Sequence, residues 1–126
     1  MLAAQDQNVE VARLGDAALM EALRRLLSQE RALSARLLVH IGEVDARGLY
    51  REHAHSSMFA YCVRALHMSE AEAYLRIGAA RLCREFPRVL TLLQVGKLHL
   101  SAVKLLAPVL TEHNAWLLYT SPSPRD

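Results

Sequence analysis

The sequence predicts an all-α protein, and three observations support that prediction. Hydrophobic residues make up 52% of the chain but aromatic residues only 6%, so Leu, Ala and Val must supply most of the core. Leu and Ala favour helices, whereas strands are enriched in β-branched and aromatic residues. Apolar residues recur at spacings of three and four, with no alternating apolar run and no Asn-Gly hairpin turn. We therefore expect one long N-terminal helix packed on a bundle of about five shorter helices.

The length of 126 residues corresponds to one ordinary domain, which the sequence divides into three parts. Residues 1–14 are polar with scattered aliphatic side chains, and we expect them to be a flexible lead-in. Residues 15–118 form the predicted helical domain. Residues 119–126 are expected to be a disordered, non-native tail, because the stretch TSPSPRD that begins at Thr120 cannot continue a helix.

The first predicted helix begins at Asp16, whose carboxylate can cap the opening turn, and extends to Arg47. Gly48 supplies its C-terminal stop, and Ser28 is the one position where a second helix could begin. An apolar stripe at spacings of three and four runs along the helix: Leu19, Leu23, Leu26, Leu27, Leu33, Leu37, Ile41 and Val44. We expect the domain's own helices to bury this stripe; the alternative is that it pairs with a second copy or with another chain.

The shorter elements follow from capping and stop signals. Leu49 to His55 is a connector. A capping box at Ser69 begins a helix, and Pro87 either stops that helix or opens the next turn. The predicted helices run from Ser57 to near Met68, from Glu70 to about Glu85, from Val89 to Val95, from Ser101 to Leu106, and from Thr111 through Leu118. The first two of these meet at Met68-Ser69 and form a helix-turn-helix-like pair.

No pattern in the chain indicates a catalytic or metal centre. The six histidines do not fall into a zinc-binding spacing, and His53 and His55 are expected to lie in a solvated connector. No nucleophile elbow and no glycine-rich phosphate loop occurs. Glu70 and Glu72 lie in the first turn of a helix, where they favour its dipole. We therefore predict that this chain is not an enzyme and holds no cofactor.

The basic residues are the candidate site. Residues 60–104 hold five Arg and two Lys against three acids, a net charge of +4, whereas the whole chain has +2. The candidate nucleic-acid-binding residues are Arg76, Arg81, Arg84, Arg88, Lys97 and Lys104, which would line a phosphate-binding surface. The alternative is a solvated helix face with ion pairs to Glu72 and Glu85. Glu70 and Glu72 at the start of the second helix of the pair argue against helix-turn-helix docking.

Four stretches carry a family resemblance: Glu43-x-Asp45-x-Arg47-Gly48-Leu49-Tyr50, Ser57-x-Phe59-x-Tyr61-Cys62, Leu66-His67-x-Ser69 with residues 73–81 after it, and Gly96-Lys97-Leu98-His99-Leu100-Ser101. Together they resemble the N-terminal helical region of a bacterial HNH-endonuclease family, over roughly residues 15–117. In that family a nuclease module of ββα-metal fold follows, with a general-base histidine and a divalent metal ion, and the substrate is DNA. Nothing in this chain matches that module, so no catalytic residue is carried over.

The resemblance implies a helical accessory domain that binds or positions double-stranded DNA, with any divalent metal belonging to the missing nuclease module. The tail resembles translated sequencing-adaptor read-through, so we expect the chain to be a truncated fragment. The alternative function is a protein-interaction or dimerisation module that uses the leucine-striped helix.

Cys62 and Cys83 lie far apart, no signal peptide is recognisable and no apolar run is long enough to span a membrane, so we expect a cytoplasmic protein without membrane contact.

Overall fold

The computed structural model describes residues 4–118, apart from the side chain of Leu117, and over these residues it contains helices and no strand. The α-helices are α1 (Ala4–Ala12), α2 (Asp16–Arg47), α3 (Met58–Arg64), α4 (Glu70–Glu85), α5 (Pro87–Gln94) and α6 (Leu100–Leu106). Two short 3₁₀ helices span Leu49–His53 and Ala115–Leu118. The predicted all-α class, with a long helix packed on shorter ones, is confirmed. The predicted tail at residues 119–126 lies outside the described residues.

The chain divides into two compact units, and the division falls inside α2, after Glu30. The first unit contains α1, which forms where the sequence led us to expect a flexible lead-in. Its segment AQDQNVEVA contains no Gly or Pro, and Asp6 lies in the first turn, where it favours the helix dipole. No residue of α1 is buried, so this helix rests on local propensity alone.

The long helix α2 runs without interruption through Ser28, so the helix break considered there does not occur. Gly48 adopts a left-handed conformation with φ of 65° directly after it, which confirms the predicted stop. The buried residues of α2 are Ala35, Leu38, Ile41 and Gly42. The expectation that the domain's own helices bury the leucine stripe was therefore wrong for most of it: the exposed members are Leu19, Leu23, Leu26, Leu27, Leu33 and Leu37.

The second unit is organised around α4, which contacts α3, α5 and α6. Its buried face consists of small and aliphatic residues spaced three and four apart, among them Ala73, Ile77 and Ala80. Leu38 of α2 and Val103 of α6 join the same apolar cluster. The core of residues 31–118 thus forms by packing short helices against one central helix.

Two serine caps set the starts of α3 and α4. The Ser57 hydroxyl accepts a hydrogen bond from the Ala60 N–H at 3.0 Å, and the Ser69 hydroxyl accepts one from the Glu72 N–H at 3.0 Å. The predicted capping box is thus present in its first half. Among the described hydrogen bonds, the Glu72 carboxylate does not accept from the backbone N–H of Ser69, as the second half of the box requires. It accepts from Arg76 instead.

The C-terminal part of the chain, from Pro87 onward, follows the predicted positions of helix breaks but differs from the prediction in the type of its last helix. Pro87 occupies the first turn of α5, so it begins a helix and does not simply end one. Thr111 and Asn114 bond reciprocally, with the Thr111 N–H donating to Asn114 Oδ1 at 2.7 Å and the Asn114 N–H donating to Thr111 Oγ1 at 3.3 Å. The result is a turn and then a 3₁₀ helix, where a sixth α-helix was expected.

Candidate functional site

The six predicted nucleic-acid-binding residues all lie in the second unit, on or between its last three α-helices. Three lie on α4, one lies in the first turn of α5, one follows the Gly96 turn and one lies on α6: Arg76, Arg81, Arg84, Arg88, Lys97 and Lys104. Most of them are engaged by other groups of the protein, which decides how much positive charge they can offer to a phosphate.

Arg81 is held by a carboxylate of α2. Its Nε atom donates to Asp45 Oδ2 at 2.8 Å and its second terminal nitrogen donates to Oδ1 at 3.1 Å, a two-bond arrangement. The hydrogen bonds to Asp45 raise the pKa of Arg81 above its ordinary value. The Asp45 side chain is 15% exposed, so the arginine caps a carboxylate that would otherwise be poorly solvated.

Arg84 forms a second link between the same two helices. It donates to Glu43 Oε1 at 2.8 Å, while Arg47 donates to Glu43 Oε2 at 2.8 Å. The hydrogen bonds from Arg84 and then Arg47 lower the pKa of Glu43 below its ordinary value. Gly42 permits this approach, because a Cβ added there would lie 3.1 Å from the Arg84 Cδ atom.

Arg76 and Arg88 are engaged within the second unit. The Arg76 Nε atom donates to Glu72 Oε2 at 3.0 Å, and one terminal nitrogen of Arg76 is buried without a partner in the described part of the chain. The Arg88 Nε atom donates to the carbonyl oxygen of Leu118 at 2.9 Å. Arg88 therefore helps to fasten the C-terminal 3₁₀ helix to α5.

The two lysines are less constrained. The Lys104 ammonium lies 5.2 Å from the centre of the Tyr74 ring, a cation–π distance. Lys97 is exposed and has no ion pair within residues 4–118. Arg81 and Lys104 also line one cavity of about 430 Å³. The cavity thus brings these two candidates together, and the other four candidates do not line it.

Glu43 and Asp45 are the residues that sequence reasoning missed. Their arginine partners are 41 and 36 residues away, and local spacing gives no sign of such a pairing. The predicted ion pair to Glu72 is present, with Arg76, whereas Glu85 takes part in no ion pair among the described residues. The Glu43-x-Asp45 spacing is the one signal in the sequence, because it places two acids near one end of the long helix.

The histidines and cysteines form no cluster. His53 and His55 flank the Tyr61 ring, with centroid distances of 6.1 and 5.5 Å. Within residues 4–118, no group of three or more His, Cys, Asp or Glu side chains could hold a metal ion. Cys62 and Cys83 are unpaired and buried, and burial raises the pKa of Cys62 and raises that of Cys83 to about 11. A protonated thiol is a poor nucleophile and a poor metal ligand.

The exposed leucines of α2 form a second candidate surface, here called the α2 seam: Leu19, Leu23, Leu26, Leu33 and Leu37. Their exposures range from 38% to 62%. Spacings of four and three residues place them at alternating a and d positions of a seven-residue repeat, the pattern of coiled-coil helices. Glu30 occupies an a position of this repeat, and His40 occupies the next d position after Leu37.

None of the helices in residues 4–118 combines the length and the apolar character that crossing a bilayer requires. No family model, curated protein or solved structure matches this chain.

Proposed function

We propose that the protein is a non-catalytic helical interaction module that associates with a second copy of itself through the α2 seam. The observation that supports this proposal is the exposure of five leucines at a and d positions along one uninterrupted helix. Soluble monomers rarely leave a contiguous apolar surface of this kind uncovered. Burying apolar area contributes about 25 cal/mol per Å², so covering the seam is a substantial driving force.

The repeat favours a helix as the occupant. Leucines at a and d insert as knobs into holes on a facing helix when that helix carries the same seven-residue spacing. A second α2 carries the same spacing by identity. The chain thus supplies its own complementary partner, and a two-fold axis would make the interface self-complementary.

Glu30 favours an antiparallel arrangement of the two helices. In a parallel pair in register, Glu30 would face the same carboxylate on the other copy, and like charges in a seam repel. Antiparallel packing sets a positions against d positions and separates the two carboxylates. The single acidic interruption therefore selects against the parallel alternative.

Sedimentation velocity over a concentration series tests the proposal. The protein should show a concentration-dependent shift from monomer to dimer, and Leu26→Glu should weaken the dimer at least tenfold because it places a charge in the seam. Leu105→Glu is the matched control, since Leu105 is an exposed leucine on α6, outside the seam. A monomer at all concentrations, or equal effects of the two substitutions, would reject the proposal.

A second candidate is the DNA-positioning role implied by the resemblance to the helical region of HNH endonucleases. The observation in its favour is the net charge of +4 over residues 60–104. The ion pairs of Arg81 with Asp45 and of Arg84 with Glu43 weigh against it, because they neutralise two of the six candidates. Binding would therefore be weak, independent of sequence and reduced steeply by salt.

Fluorescence anisotropy with a labelled duplex in a salt series tests this second candidate. Replacing Arg81, Arg84 and Arg88 by Ala should weaken low-salt binding by roughly tenfold and flatten its salt dependence. Replacing three arginines elsewhere, Arg13, Arg25 and Arg36, provides a charge-matched control that should have less effect. Absence of binding at low salt, or equal loss in both triple variants, would remove this candidate.

The buried, unpaired thiols of Cys62 and Cys83 are in keeping with a reducing compartment such as the cytoplasm.

A further inference from the structure

A cavity of about 430 Å³ lies among α3, α4 and α6, within the second unit. Buried side chains of all three helices form its inner surface, namely Met58, Ile77 and Val103. Phe59 and Tyr74 line it as exposed aromatic residues, so the cavity opens to solvent past two rings. Its volume lies in the range of small-molecule sites in proteins, which are mostly apolar with a few polar groups.

Gly78 keeps this cavity open. It lies in the middle of α4, where glycine destabilises a helix by about 1 kcal/mol relative to Ala. Gly78 lines the cavity, and a Cβ added to it would meet no other atom within 4 Å. The cavity therefore exists partly because residue 78 has no side chain, although this position of the helix has room for one.

The charge of the lining has one sign. Arg81 and Lys104 line the cavity, and no carboxylate does. Asp45 satisfies Arg81 from outside the lining, so Arg81 contributes less than a full free charge. Lys104 forms no ion pair in the described part of the chain and lies over the Tyr74 ring, which leaves its ammonium available to an anion.

We propose that this cavity binds a small amphipathic anion, a monocarboxylate whose apolar body fills the space beside Gly78 and whose carboxylate is held at Lys104 and Arg81. A cavity of about 150 Å³ holds the six carbon atoms of a benzene molecule, so in proportion this one of about 430 Å³ has room for roughly 17 non-hydrogen atoms. Ser57 also lines the cavity, and its hydroxyl, whose oxygen accepts from the Ala60 N–H, keeps its own O–H to donate to the carboxylate. The inference is independent of the α2 seam and of DNA binding.

Isothermal titration calorimetry with decanoate, kept below the concentration at which it forms micelles, tests the proposal. Decanoate should bind with a stoichiometry of one per chain and at least about tenfold more tightly than decylammonium, which has a similar apolar body and the opposite charge. The same titration on the Leu26→Glu variant should give the same affinity, so failure of the self-association proposal would leave this result intact.

Three variants separate the cavity from general surface binding. Gly78→Leu should abolish decanoate binding or weaken it at least about tenfold, because its side chain occupies the free space while α4 gains helix propensity. Lys104→Gln should weaken binding of decanoate by roughly threefold and leave decylammonium unaffected or improved. Lys97→Gln, at an exposed lysine outside the lining, should change neither.

Circular dichroism should show unchanged helix content in each variant, which keeps loss of fold apart from loss of binding. Absence of decanoate binding to the parent protein would overturn the proposal. So would binding that Gly78→Leu leaves unaltered, because the ligand would then occupy some other surface. Equal affinity for decanoate and decylammonium would overturn the assignment of an anion to Lys104 and Arg81.

Discussion

The two halves of α2 have similar composition and opposite environments. Between Asp16 and Glu30 the helix carries four leucines, and none of its residues is buried. Between Arg31 and Arg47 it carries three leucines, and four of its residues are buried in the core of the second unit. Amphipathic spacing therefore indicates that a helix has an apolar face, but it does not identify what covers that face.

The buried set of the second half explains the difference. It consists of Ala35, Leu38, Ile41 and Gly42, which lie on a strip of the helix that faces away from the α2 seam. Two of these four side chains are small, which lets α4 approach closely. Leu33 and Leu37 lie in the same half and remain exposed, so the number of leucines does not decide burial. Burial follows instead the face of the helix on which the small residues Ala35 and Gly42 lie.

The largest expected effect on stability comes from replacing one leucine by alanine in each half of α2. Leu38 is 1% exposed and Leu26 is 62% exposed. Leu38→Ala should lower the free energy of unfolding by about 2 to 5 kcal/mol, because it removes buried methyl groups and leaves a cavity. Leu26→Ala should change it by less than about 0.5 kcal/mol under monomeric conditions. Urea unfolding at low protein concentration measures both, and equal losses would contradict the assignment of the buried strip.

A smaller effect is expected from adding volume where α2 approaches α4. Gly42→Leu should destabilise the protein by about 1 to 3 kcal/mol, since a Cβ at this position already lies 3.1 Å from the Arg84 side chain. Ala18→Leu adds the same type of side chain to the exposed first half and should stay within about 0.5 kcal/mol of the parent. Thermal unfolding followed by circular dichroism measures the pair. A neutral Gly42→Leu would show that the helices do not meet there.

The smallest expected effect on stability is electrostatic and concerns pH. The pKa of Glu43 in the folded protein is lowered from 4.5, so its contribution is fully present above 4.5 and is lost as the pH falls through the lowered value. Glu43→Gln should therefore flatten the loss of stability on acidification below about pH 4.5. Glu21→Gln, which removes an acid paired with Arg24 of the same helix, is the matched control, and Glu43→Gln should flatten the slope more than this control does. Unfolding midpoints in urea at several pH values test this, and parallel curves for the parent and Glu43→Gln would refute the ion-pair account.

Local signals in the sequence predicted most of the fold. Ser57, Ser69 and Gly48 act within a few residues of themselves, so their caps and stops could be located without tertiary information. The lead-in was the local exception, because a short polar segment gives no strong pattern and still formed α1.

The features that sequence reasoning missed depend on contacts between distant segments. Whether Leu37 or Leu38 is buried depends on which face of the second half of α2 meets α4, and the pairing of Asp45 with Arg81 depends on the same contact. The cavity beside Gly78 requires α3 and α6 to be in place. The one sign of this cavity in the sequence is Gly78, a glycine inside a helical pattern. Such a glycine has several structural explanations, so it does not by itself predict a cavity.

The most direct test of the central claim removes the acidic interruption from the α2 seam. Sedimentation equilibrium should show that Glu30→Leu tightens self-association at least tenfold, because an a position then carries leucine in place of a carboxylate. Glu21→Leu is the matched control on the opposite face of the helix and should stay within about twofold of the parent. If Glu30→Leu leaves self-association unchanged, or if both substitutions strengthen it equally, the seam is not the surface through which two copies meet.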